Sequence, residues 1–154
     1  MLRSVLYLGL LTAAPAFAQS AAQEARFADA MRAMEAQTFT FYTTVDPRFE
    51  QLLTPVADNP AYRESQRCVL ARIEDEGGSE MLEEYIAAME VQGDTEITSL
   101  IDLAANLPDV MISDLIFAAS TECGPMSFTT DQMATSEFTE LMADPAIMQG
   151  LMGE

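Results

Sequence analysis

The chain has 154 residues, 49% of them apolar, and carries 25 acids against seven bases for a formal charge of −18 at pH 7. It contains no His, no Trp and no Lys. Those absences exclude Ser-His-Asp and Cys-His nucleophile systems, Schiff-base lysines, histidine metal sites and Walker-type phosphate loops, while the apolar content argues against wholesale disorder.

Residues 1–18 have the three parts of a cleavable secretory signal. Arg3 supplies the positive start, Val5 to Leu11 a short apolar run, and Ala16-Phe17-Ala18 an A-x-A cleavage site. The run is too short for a spanning helix, and no later apolar stretch reaches the ~18 residues that one needs. The expectation is an exported, periplasmic chain without stable membrane insertion, folded as one domain over residues 19–154. In that oxidising compartment the even pair Cys68 and Cys123 predicts a disulfide. The spacing is far from the C-x-x-C of redox pairs. Closing a loop of 55 residues would stabilise the fold by about 4 kcal/mol at most.

Beyond Ser20 the pattern is a succession of helices. From Glu24 to about Gln37, Phe27, Ala30, Met31 and Met34 recur at helical spacing. The next stretch, residues 38–45, alternates and is β-branched, so it suits either a short strand or a stiff helical end. Asp46-Pro47 opens a short helix with Phe49, Leu52, Leu53 and Val56, and Asn59-Pro60 opens a longer one. The latter places Tyr62, Gln66, Val69, Leu70 and Ile73 on one stripe, with Cys68 roughly 140° away on the helical wheel. A second element is therefore expected on that flank. Gly77-Gly78 ends the helix and Ser79 caps the next, which sets Met81, Leu82, Tyr85, Ile86 and Met89 against Glu80, Glu83, Glu84 and Glu90.

After Gly93-Asp94, Ile97, Leu100, Ile101 and Ala104 start another helix. Val110 to Ala119 is apolar on nearly every side, which predicts a buried central helix. Cys123-Gly124-Pro125 stops it. Thr129-x-x-Gln132 reads as a capping box, with Phe128 and Met133 as its hydrophobic staple. Asp144-Pro145 opens a last helix ending near Leu151-Met152. The fold class expected is all-α, a single small bundle of about six to eight helices stapled by one disulfide.

The charge is unevenly spread. Residues 19–72 hold six arginines and seven acids, whereas residues 73–154 hold 18 acids and no base. Such a chain disfavours nucleic acid and anionic surfaces. The surplus acids suit solubility, or a face for a basic protein or peptide built from Glu80, Glu83, Glu84 and Glu90. Divalent cation binding at Glu74–Glu80 is a weaker option, since that run lacks the order of a calcium loop. Some acids are expected to pair with Arg63, Arg67 and Arg72 and so dock the two halves.

Met31-x-x-Met34 and Met148-x3-Met152 have helical-neighbour spacing, and thioethers are soft copper(I) ligands. The same residues lie on core stripes, and Met also suits adaptable binding surfaces. Glu64, beside Ser65 and Arg67, is the best placed lone carboxylate for glycoside hydrolysis, but no sugar platform accompanies it. No catalytic residue, metal ligand or cofactor is assigned. The residues point to a non-catalytic protein-interaction or chaperone-like module of the periplasm. The alternatives are a carboxylate-dependent hydrolase acting on envelope glycan and a cation- or copper(I)-binding protein.

Overall fold

In a computed structural model, residues 20–154 are described; the signal segment expected over 1–18 lies outside them. Seven α-helices and two 3-10 turns follow one another: α1 Ala21–Val45, a turn at Pro47–Gln51, α2 Pro60–Asp94, α3 Leu100–Ala105, a turn at Asp109–Ile112, α4 Asp114–Cys123, α5 Pro125–Met133, α6 Ser136–Met142 and α7 Pro145–Met152. The class is all-α, as the periodicity implies.

Ser20 starts α1 with a capping box. Its Oγ accepts from the Gln23 N–H at 3.2 Å, and Gln23 Oε1 accepts from the Ser20 N–H at 3.0 Å, so two orphan donors of the first turn are satisfied. The ambiguous stretch 38–45 is helical and belongs to α1. Phe41 and Tyr42 are buried there, while the Thr43 hydroxyl donates back to the Phe39 carbonyl at 2.8 Å. Packing of two adjacent rings outweighs β-propensity worth only tenths of a kcal/mol per residue. The helix stops at Asp46, which is extended at φ −149°, as expected for a residue before proline.

Asn59 caps α2 through its side chain, which accepts from the Ala61 N–H at 2.9 Å. Gly77-Gly78 does break the helix, but without a loop: Gly78 takes φ 81°, ψ 171°, a conformation nearly confined to glycine, and helix resumes at once. Both halves of α2 thereby turn the same side to α1. Val69, Leu70 and Ile73 come from the first half, and Leu82, Tyr85, Ile86 and Met89 from the second. At the far end the two helices nearly touch. A Cβ on Gly93 would lie 2.9 Å from the Ala33 Cβ and 3.0 Å from the Ala30 carbonyl, so only glycine permits that approach.

Two cores result. The first joins Phe27 and Ala30 of α1 to α2, Val110, and Ile116 and Ala119 of α4. The second joins Phe41 and Tyr42 of α1 to Phe49, Phe138 and Leu141 of α6, and Ile147 and Leu151 of α7. Its rings pack edge to face, Tyr42 on Phe49 at 4.9 Å and Phe49 on Phe138 at 5.6 Å between centroids.

Cys68 and Cys123 form the disulfide, with Cα atoms 5.7 Å apart. The end of α4 is thus the element expected on the far flank of α2, although Cys68 itself stays exposed.

Three expectations fail. The short helix expected to carry Phe49, Leu52, Leu53 and Val56 is a turn that ends at Gln51, with Leu53 and Val56 beyond it. The segment from Val110 to Ala119 is not a buried central helix. Ser113 interrupts it and caps α4, and Ile112 and Phe117 are 61% and 67% exposed. Among its residues, Val110, Ile116 and Ala119 are buried, because the segment lies on the outside of α2. The capping box at Thr129 is also absent. Helix α5 already begins at Pro125, the Thr129 hydroxyl donates to the Met126 carbonyl at 3.1 Å, and Gln132 is used elsewhere.

Candidate functional site

The middle of α1, residues 31–40, contributes no fully buried residue to either core. Against it lies the extended loop from Leu53 to Ala57, and beyond the loop lies the end of α5. Between them is a cleft of about 200 Å³ whose walls include Met31, Met34, Phe39, Leu53, Val56 and Met133. Tyr62 also lines it, packed edge-on against Phe128 at 5.4 Å. Met31 and Met34 also border the first core, so the cleft opens at the seam between the two.

Its shape depends on two polar side chains from separate helices. Glu35 of α1 accepts hydrogen bonds from the backbone N–H groups of Val56 and Ala57, the latter at 3.2 Å. Gln132 of α5 makes a two-point contact with Thr54: its Oε1 accepts from the Thr54 N–H at 2.8 Å, and its Nε2 donates to the Thr54 carbonyl at 2.9 Å. A loop without helical partners needs such acceptors and donors for its backbone. With these groups engaged, the walls left facing the cleft are mainly thioether, aromatic and aliphatic. Burial against these walls pushes the Tyr62 phenol upward from its ordinary value.

The candidate acidic face is divided by the fold. Arg26 of α1 reaches across to α2, where its Nη1 donates to Glu83 at 2.7 Å and its Nε and Nη2 donate to Glu90 at 2.8 Å. Gln23 adds a bond to Glu83 at 2.7 Å. The Arg26 hydrogen bonds hold both carboxyls below the ordinary carboxylate range. Glu80 and Glu84 stand exposed without such a clamp.

Of the arginines expected to dock the two halves, Arg72 does so on Glu122, while Arg26, outside that expectation, joins Glu83 and Glu90. Arg67 instead pairs with Glu24 and Glu64 inside the first half. Glu64, the lone candidate acid, has a side chain 75% exposed, unlike the half-buried setting that raises a catalytic carboxyl. The Glu74–Glu80 run is likewise surface, with Glu76 on Arg72 at 2.6 Å. Among the described residues no group of three or more Cys, Asp or Glu is gathered as for a metal ion, and no helix is long and apolar enough to cross a membrane. Met31 and Met34 face the cleft, whereas Met148 packs on the second core.

Reading along the chain picks out these methionines as stripe residues but misses the roles of Glu35 and Gln132. Each acts on a backbone about 20 or 80 residues away, and no local spacing encodes that. The fold and site together define an acidic, disulfide-stapled helical bundle with a methionine-lined cleft at its seam. Against known protein families, curated proteins and solved structures the chain finds no match.

Proposed function

We propose that the chain is an exported, non-catalytic binding module of the chaperone-like kind, which holds an apolar guest in the methionine-lined cleft. The observation that carries this reading is the cleft itself, whose own acid and amide are committed to the loop that walls it. Methionine suits the role because its unbranched, polarisable side chain adapts to more than one shape. Export is supported by the composition of residues 1–18, by the disulfide, and by the capping serine at position 20, two residues beyond the expected cleavage site. A basic partner on the acidic face is a lesser part of the proposal, because Arg26 already holds two of its four glutamates.

The test is binding of a polarity-sensitive apolar dye to the native protein at pH 7. Fluorescence is expected to rise on mixing, and Met133→Glu at the exposed cleft wall is expected to weaken binding by about tenfold, since a carboxylate resists desolvation there. Fluorescence that stays flat with the native protein, or an affinity indifferent to that substitution, overturns the cleft as the site.

A further inference from the structure

A second hollow adjoins the cleft at Tyr62. Of about 170 Å³, it runs between the first turns of α1 and α2 and shares Met31, Ala57 and Tyr62 with the first. Its polar wall carries Arg63, Gln66 and Arg67, with the Glu24 that pairs with Arg67. Arg63 and Arg67 are helical neighbours at i,i+4.

Arg63 differs from the other arginines of the described residues. Arg26, Arg32, Arg48, Arg67 and Arg72 each have a carboxylate within 4.0 Å, and Arg63 does not. In a chain with 25 acids and seven bases, a cation left unpaired beside a hollow is conspicuous. Arg67 is shared between Glu24 and Glu64, so the free positive charge at this end belongs to Arg63. The hollow is also built from the half of the chain in which arginines and acids nearly balance. At 0.1 M salt, charges more than about 10 Å away are largely screened.

The apolar end narrows the choice of guest. An extended peptide needs partners for its N–H and C=O groups, and the cleft's acid and amide, Glu35 and Gln132, are spent on the loop backbone. A hydrocarbon chain has no such need. We propose that the two adjoining hollows together bind an anionic amphiphile, with its alkyl chain in the methionine-lined cleft and its carboxylate or phosphate head at Arg63. This assignment rests on the cleft being the binding site and adds the chemistry of the guest.

Titration of the purified protein with dodecanoate, dodecanol and dodecyl phosphate, each below its micellar concentration, tests it. Dodecanoate or dodecyl phosphate is expected to bind about five- to tenfold more tightly than dodecanol, the range of a partly exposed charge-assisted bond. Whichever anion binds more tightly identifies the head as carboxylate or phosphate. Arg63→Gln, a change at an exposed position, is expected to bring the anions down to the level of the alcohol and leave the alcohol unchanged. Each methylene removed from a buried chain should weaken binding about fourfold. Equal binding of anion and alcohol, or anion binding indifferent to Arg63→Gln, overturns the amphiphile while leaving the cleft in place. Failure of all three probes to bind overturns both.

Discussion

The two cores are held together by different means. The first is mostly aliphatic and is tied across long sequence distances: by Cys68–Cys123 between α2 and α4, by Arg26 on Glu83 and Glu90 between α1 and α2, and by Arg72 on Glu122. The second is mostly aromatic and has none of those ties. Its ion pair among the described residues, Arg48 with Asp46, lies within a single turn. Its fully buried residues beyond α1 come from a five-residue 3-10 turn and helices of seven and eight residues, lengths at which an isolated helix is not stable in water. One half of the protein therefore has links that survive local opening, and the other depends on the packing of its rings and aliphatic side chains. A cleft at the seam of two such halves can adjust by movement of the weaker one, because low-stability regions are where binding surfaces can yield.

The sharpest way to break this comparison is Phe49→Ala. Phe49 has no exposed surface and touches both Tyr42 and Phe138, so its loss should destabilise the chain by about 3–5 kcal/mol. Hydrogen exchange is expected to show α6 and α7 losing protection well before residues 69–89 of α2. Uniform loss across both cores would mean that they unfold as one unit and that the contrast is only compositional. Replacing both cysteines by serine is the complementary change and should lower stability by about 2–4 kcal/mol, the range for a loop of this length. Its effect should fall on α4 and the outer side of α2 and leave the second core in place, as read by unchanged hydrogen-exchange protection of residues 41–49 and 138–151.

The smallest effect sharpens the contrast through pH. Asp46 accepts from the Arg48 backbone N–H at 2.9 Å and from its Nη2 at 2.8 Å, and the Arg48 side-chain hydrogen bond in particular lowers its carboxyl from 3.8 to about 2. A carboxyl lowered by folding contributes stability that is present above its unfolded value and is lost as pH falls through its folded one. Asp46→Asn is therefore expected to be less stable than the native chain above about pH 4, with the gap closing as pH falls toward about 2. No gap at any pH would assign the role of Asp46 to the cap alone, since asparagine caps about as well.

Much of the helical architecture is visible one residue at a time. Pro47, Pro60, Pro125 and Pro145 each stand at the first position of a turn or helix, and proline's missing N–H and fixed φ act locally. The break at Gly78 is equally local. The stripe of Val69, Leu70 and Ile73 is legible because helical periodicity projects directly onto burial. The overestimate of burial from Val110 to Ala119 has the opposite cause: composition shows that Ile112 and Phe117 are apolar, but not that they point away from α2.

The candidate site was less legible. Met31 and Met34 occur on a stripe that suits a core and a cleft equally, and the sequence does not say that the loop from Leu53 to Ala57 lies against it. Arg63 looks like any other arginine until its neighbours are counted in space. By itself the sequence determined the class of fold, the pair of cysteines free to bridge, the starts of most helices and the uneven charge, because each follows from residue chemistry or from spacing within about one or two turns. Only the tertiary structure decided that residues 38–45 are helical, that Glu35 and Gln132 hold a distant loop, and that one arginine faces a hollow unpaired. Each of these depends on contacts between segments 20 or more residues apart, and their energies exceed the local preferences that a sequence displays.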